Sequence, residues 1–205
     1  MMVRFPAASF RPAEAVTVLL GLGSNQGDRL RELRRAVQAL DLHPEIEVTA
    51  WSSIYETTYV GPGRQDDFLN ACLEVATALA PGVLLAVLKG IEARHGRMPG
   101  GHMKPRPIDL DLLFYGDNTL SGNQLTIPHP RIRDRAFVLE PLAEVAPGWV
   151  FPDSGETIGE ACAKIRRKSD AGVRLQAGLS LAPAVIPGDG LTKEEWRAAL
   201  AVYCR

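Results

Sequence analysis

From Ile108 to Tyr115 the chain reads Ile-Asp-Leu-Asp-Leu-Leu-Phe-Tyr, a run dense in branched and aromatic residues that specifies a β-strand. Side chains two apart on a strand point to the same face. Asp109 and Asp111 therefore share one face, with Leu113 and Tyr115 continuing it, while Ile108, Leu110, Leu112 and Phe114 fill the other. Two carboxylates side by side at the entrance of a buried strand repel each other and resist desolvation. A hard divalent cation bridging to substrate phosphates, most simply Mg²⁺, relieves both costs. The plainer alternative is a strand end whose two acids sit in water. Arg106, just upstream, sets a cation beside the pair and favours a metal–phosphate site.

The rest of the chain supplies partners for that strand. Val16–Leu22 is a near-continuous apolar run, hence a buried first strand. Gly23-Ser-Asn-Gln-Gly27 reads as a turn and Asp28 as the cap of a helix carrying Leu30, Leu33, Val37 and Leu40. Pro44 separates this helix from a second strand, about Ile46–Tyr55, and Phe68–Leu79 reads as a third. Pro81 opens a second helix through Leu84, Leu85, Leu88 and Ile91, ending near Gly96, and the Gly/Pro-rich loop Gly96–Pro107 leads into the Asp-x-Asp strand. The order β-α-β-β-α-β describes an α+β fold, a ferredoxin-like plait with its helices on one face of an antiparallel sheet. A hairpin arm at Thr119–Ile127 and short helices at Ala136–Val145 and Thr157–Lys168 are added to it.

Three segments follow: a flexible N-terminal tail (1–15), a catalytic domain (16–168), and a linker with a C-terminal helix (169–205). Residues 170–190 are rich in Ala, Gly and Pro, and Thr192-Lys-Glu-Glu195 is a capping box for a helix over 193–203. Residues 170–205 are expected to be dispensable for chemistry.

A net charge of −1 gives no electrostatic reason to expect nucleic acid or an anionic membrane as partner. No run reaches the roughly 18 apolar residues of a membrane span, and the N-terminal tail has no apolar core of a secretory signal. Cys72, Cys162 and Cys204 show no metal or CxxC spacing, which fits a reducing, cytoplasmic setting.

Gly21-Leu-Gly23-Ser-Asn-Gln-Gly27 follows a strand and opens a helix, but its spacing departs by one residue from the dinucleotide-binding pattern. A tight strand-to-helix turn with glycines at positive φ accounts for it. Arg94, Arg97, Lys104 and Arg106 crowd the loop before the Asp strand, either as a solvated basic loop or as cations for a moving phosphoryl group. Glu92 taken alone reads as a surface acid. His129 sits in the proline-held turn Ile127-Pro-His-Pro-Arg131, followed by Arg135 and Phe137. Phe68 and Phe137 taken singly read as core, though two aromatic faces can sandwich a flat heterocycle.

Together these segments resemble one family: Gly-x-Gly-Ser-Asn at 21–25, Ser52–Thr57 with Gly61-Pro62, Phe68-Leu-Asn70, Pro105-Arg-x-x-Asp-x-Asp111, Ile127-Pro-His-Pro-Arg131 and Arg135-x-Phe137. It is 6-hydroxymethyl-7,8-dihydropterin pyrophosphokinase of folate biosynthesis, and the likeness runs over roughly residues 16–160 in unbroken order. The resemblance implies a transferase that holds ATP as co-substrate, two Mg²⁺ ions and a reduced pterin. The pterin hydroxymethyl oxygen attacks the β-phosphorus and AMP leaves. By that likeness Asp109 and Asp111 match the Mg²⁺ ligands, and Arg97 and Arg106 join them in the catalytic set. Phe68 and Phe137 match the rings that stack on the pterin, while Thr57, Thr58, Val60 and Asn70 match positions around its hydrogen-bonding edge. Lys89, Glu92, Arg97, Arg106, Leu112, Thr126, His129 and Arg135 match positions that bind ATP or its phosphates. Ser24 and Asn25 belong to the pattern and read as structural.

The chain departs from the family at Met103, where many relatives carry Trp, and at Pro99, where an Arg is common. Lys89 replaces a polar amide, and the loop between Arg97 and Arg106 is one residue short. The segment after about residue 168 has no counterpart in the minimal family fold. Other classes of answer are a non-enzymatic ligand-binding plait, which needs no cluster of Asp109, Asp111 and Arg106, and another Mg²⁺-dependent transferase with a related pocket. An RNA-binding plait lacks both the aromatic strand motif and the basic excess.

Overall fold

Val16–Ser24 (β2) is the strand around which the fold is built, and its apolar run is explained by where it lies. It pairs antiparallel on one side with Phe68–Thr77 (β5) and on the other with Asp109–Tyr115 (β6), so neither of its edges meets water. Ile46–Trp51 (β3) pairs antiparallel with β5, giving the order β3-β5-β2-β6. A short edge strand, Val3–Arg4 (β1), lies against β3 within the segment read as a flexible tail. The fold is a mixed α+β one with an antiparallel sheet. The computed structural model describes residues 3–4, 15–59, 63–97, 104–168 and 172–182. Val60, Gly61, Pro62, Pro99, Met103 and the helix expected over 193–203 lie outside the described residues.

The first connection is Arg29–Asp41 (α1), capped by Asp28, whose carboxylate accepts from the Arg31 amide at 3.1 Å. The second is Pro81–Arg94 (α2), with proline in its first turn. Leu33, Val37 and Leu40 of α1 and Leu84, Leu88 and Ile91 of α2 pack on Val18, Leu20, Leu73, Leu110 and Leu112, forming one core.

Helices also cover the other sheet face, which the sequence had left without any. Ala136–Val145 (α3) and Ile158–Lys168 (α4) bury Leu139, Leu142, Ile158 and Cys162 against Leu19, Cys72, Leu113 and Phe114. Their amphipathic stripes need a second apolar surface, and the sheet supplies it at one end only. The remainder of that face stays open and becomes the floor of a cleft.

Two strand readings need correction. A register shift at Leu19/Leu20 leaves Leu113 as an extra residue in β6, and such a bulge flips the side-chain parity beyond it. Leu113 continues the Asp109/Asp111 face as expected, but Phe114 joins it in the second core and Tyr115 turns to the first. The expected strand Ile46–Tyr55 breaks at Ser52, whose amide and hydroxyl bond to the Cys72 backbone at 2.9 Å each. The chain then resumes as Tyr55–Thr57 (β4), paired with the start of β5.

The hairpin arm is present as Leu120–Ser121 (β7) and Thr126–Ile127 (β8). Within the stretch read as linker, Val173–Leu175 (β9) pairs antiparallel with β4, and Leu181 is fully buried in the first core. Composition predicted loop there because three residues of strand leave no periodic signal.

Candidate active site

The floor of the cleft is set by cross-strand pairing. Asp109 stands opposite Gly23 and Asp111 opposite Gly21, and on the other side of β2 the same glycines face Asn70 and Cys72. Each carboxylate therefore lies beside a residue with no side chain to cover it. A Cβ at Gly21 would come within 3.4 Å of Leu113, and one at Gly23 within 3.3 Å of Asn70 Oδ1. These glycines are strand residues that keep a surface clear, not turn glycines. Of the motif, only Gly27 has positive φ.

The cleft holds about 340 Å³ and gathers groups from distant parts of the chain. Thr57, Thr58, Phe68 and Asn70 line one side; Arg97, Arg106, Asp109 and Asp111 lie across the floor; His129, Arg135 and Phe137 close the far side. Asn70 Nδ2 donates to Thr57 Oγ1 at 2.8 Å, tying the two strands that bear them. Tyr59, which the sequence reading passed over, also lines the cleft, with its ring 6.5 Å from that of Phe68 and inclined by 26°. Its position between Thr58 and Val60 of the family pattern was the only available signal.

Charge is distributed unevenly over the two aspartates. Asp109 accepts from Arg106 Nη1 at 2.6 Å and from Arg97 through its other oxygen. Burial pushes the Asp109 carboxyl up, but Arg106, Arg97 and Lys89 together outweigh it and hold its pKa below the ordinary value. Asp111 goes the other way. Burial and then the neighbouring Asp109 charge raise it, against weaker pulls from His129, Lys89 and Arg135. Arg135, its guanidinium carbon 5.5 Å from the centre of the Phe137 ring, is held below its ordinary value by burial and by Arg131 alongside. Asp111 and Arg135 attract each other, but among the described residues neither forms a close ion pair, and a metal-bound phosphate ester would engage both.

Behind the floor sits Glu92, only 3% exposed rather than the surface acid it resembled in isolation. Its Oε1 accepts from Lys89 Nζ and from the Leu110 amide, each at 2.8 Å, and it also pairs with Arg97. Burial nevertheless raises its pKa, with Lys89 opposing. Glu92 and Asp109 thus share Arg97, which lies three residues beyond the end of α2 at the edge of the loop. Asn25, 1% exposed, brackets that loop from the other side: its Oδ1 accepts from the Arg106 amide at 2.8 Å, and its Nδ2 donates to Gln65 and to the Asp66 carbonyl.

Lys89, Glu92, Leu112 and Thr126 do not line the cleft. The Leu112 side chain belongs to the core on the opposite face, and Thr126 lies on β8 with its hydroxyl toward the Gly122 carbonyl. Among the described residues no group of three or more His, Cys, Asp or Glu converges as a metal cage. Asp109 and Asp111 offer two protein ligands, which suits an ion that completes its shell with water and phosphate oxygens, as Mg²⁺ does.

An α+β protein with a carboxylate pair flanked by arginines and aromatic rings in one cleft fits the class that handles phosphate esters beside a flat ring. The comparisons narrow the class. The profile of 7,8-dihydro-6-hydroxymethylpterin-pyrophosphokinase (HPPK) matches residues 19–147. A Synechocystis sp. protein named 2-amino-4-hydroxy-6-hydroxymethyldihydropteridine pyrophosphokinase is 45% identical over 147 residues, 72% of this chain and 75% of that protein. The protein of the same name from Methylorubrum extorquens is 47% identical over 71% of this chain and 91% of its own length. Among solved structures, an HPPK-DHPS in complex with substrates superposes with a TM-score of 0.60 at 15% identity, over 75% of this chain and 44% of that one. That likeness concerns the fold alone. The chain belongs to the HPPK family.

Proposed function

We propose that this protein transfers the pyrophosphoryl group of ATP to the hydroxymethyl group of 6-hydroxymethyl-7,8-dihydropterin, releasing AMP, as a step of folate biosynthesis. Its frame is a ferredoxin-like plait, a reading supported by the antiparallel order β3-β5-β2-β6 with α1 and α2 packed on one face. The observation that carries the function is the pairing of Asp109 and Asp111 with Gly23 and Gly21, which sets both carboxylates, with no side chain opposite them, at the floor of a cleft walled by Phe68 and Phe137.

In this reading the hydroxymethyl oxygen forms a bond to the β-phosphorus while the bond from that phosphorus to the α,β-bridging oxygen breaks. The hydroxyl proton passes to water, and AMP departs with the bridging oxygen. Asp109 and Asp111 would hold Mg²⁺, two ions by family likeness, and the metal would supply Lewis-acid charge on the phosphate oxygens. Arg97 and Arg106, both paired with Asp109 at the cleft floor, stand where they can reach the phosphates, and their charge matters most in the transition state. His129 and Arg135 hold phosphate oxygens on the far side. Lys89 and Glu92 fix Arg97 and the Leu110 backbone, while Leu112 and Thr126, which lie off the cleft, are assigned to the nucleotide by family likeness alone. Phe68 and Phe137 stack on the pterin, and Thr57, Thr58, Val60 and Asn70 meet its polar edge. Among the described residues no helix is long and apolar enough to cross a membrane, and a cytoplasmic enzyme acting on small molecules agrees with this.

Incubation with Mg-ATP and hydroxymethyldihydropterin should give AMP and a pterin diphosphate in equal amounts. Formation of ADP instead, or of no nucleotide product, would contradict the reading.

A further inference from the structure

The strand β9 lies beyond residues 19–147 of the family match, yet it touches the side of the cleft assigned to the pterin. It pairs with β4 residue for residue, Val173 opposite Thr57, Arg174 opposite Glu56 and Leu175 opposite Tyr55. Without it β4 would be an edge strand of three residues, held on one side only. Arg174 Nη2 reaches Asp67 Oδ2 at 3.0 Å and Glu56 Oε2 at 3.4 Å. Asp67 directly precedes Phe68, and Glu56 directly precedes Thr57. Arg174 therefore bridges the two backbone segments that deliver a ring and a hydroxyl to the cleft. Gln176 fastens the strand to the β4 side alone, its side chain donating to Glu56 Oε2 at 3.0 Å and its amide to the Ile54 carbonyl at 2.8 Å. Further on, Leu181 is buried in the core and the Ser180 carbonyl accepts from Arg34 at 2.9 Å, which anchors the segment at its other end.

We infer that residues 173–176 form a strap across the pterin side of the cleft, with Arg174 as a positioning residue for pterin binding. Arg174 is 58% exposed in its side chain, and exposed ion pairs contribute little to global stability. Its effect should therefore fall on geometry rather than on folding. A carboxylate-bridging arginine holds two groups at fixed spacing, and that spacing is what a stacked and hydrogen-bonded ligand reads. The inference rests on the pyrophosphokinase reading for the identity of the ligand.

The test is steady-state kinetics on the full-length Arg174→Ala and Arg174→Lys variants, with each substrate varied in turn and a thermal melt of each protein. Arg174→Ala should raise KM for hydroxymethyldihydropterin about threefold to tenfold, leaving KM for Mg-ATP and the melting temperature unchanged. Arg174→Lys should recover part of the loss. An unchanged pterin KM in Arg174→Ala overturns the inference, and so does a parallel change in both KM values and the melting temperature. If the wild-type protein made no AMP, the pyrophosphokinase reading would fall instead. Fluorescence titration of the same variants with the pterin would then decide on the strap by the same pattern.

Discussion

Gly23 stands directly across the sheet from Asp109 on one side and from Asn70 on the other, at the floor of the cleft. A Cβ added there would lie 3.3 Å from Asn70 Oδ1, 3.7 Å from Phe68 and 4.0 Å from the Asp109 Cβ. Of these only Asn70 Oδ1 lies closer than ordinary contact and would have to give way, while Phe68 and Asp109 would come into van der Waals contact with the new methyl. Gly23→Ala should leave the protein folded and lower kcat/KM for the pterin about tenfold or more, since small displacements of reacting groups are costly. Unaltered kinetics in a folded Gly23→Ala variant would show that the floor has room to spare.

Phe137 opens α3 at the far side of the cleft with Arg135 over its ring. Phe137→Ala should weaken pterin binding by about 1–3 kcal/mol through lost apolar contact and stacking. Binding of an ATP analogue alone should change little. Calorimetry that finds equal damage to both ligands would assign Phe137 to the core rather than to the pterin.

The histidines give the fold a pH dependence separate from the chemistry. His43 Nδ1 accepts from the Glu45 amide at 3.1 Å, and burial holds the imidazole below its ordinary value of 6.5, with Glu45 opposing. The folded state thus binds a proton less readily than the unfolded chain. Stability from this group is fully present above 6.5 and is lost as pH falls through the lower folded value. His43→Asn keeps an acceptor and cannot be charged, so its stability should decline less steeply from neutral pH toward pH 5 (about one unit or more below the free imidazole value). Urea midpoints of the two proteins across that range provide the check; parallel curves would show that His43 does not contribute.

Much of this arrangement was legible because periodicity survives folding. Asp109 and Asp111 share a face, as residues two apart on a strand must, and Asp28 caps α1 where its sequence neighbours demand a cap. What was lost came from non-local causes. The bulge at Leu113 depends on how β6 registers with Leu19 and Leu20 of β2, so Phe114 and Tyr115 exchanged faces without any local sign. The burial of Glu92 follows from three donors contributed by Lys89, Arg97 and the Leu110 backbone. The strand around Arg174 has no pattern of its own and exists because β4 offers it an edge. Gly21 and Gly23 looked like turn glycines because sequence alone does not distinguish a residue chosen for backbone conformation from one chosen for the space above it.

Asp109 and Asp111 are the metal-bearing pair of the proposed transfer. Single-turnover reactions of wild type, Asp109→Asn and Asp111→Asn with Mg-ATP and hydroxymethyldihydropterin test this assignment most directly, with AMP measured and folding confirmed by circular dichroism. Each substitution removes one of the two charges offered to the ion, and Mg²⁺ tolerates altered ligation poorly. Both variants should fold, with turnover lowered by about 10²-fold or more, the scale of lost electrostatic stabilisation at a reacting centre. Turnover within about threefold of wild type in either variant, far short of that scale, would contradict the assignment.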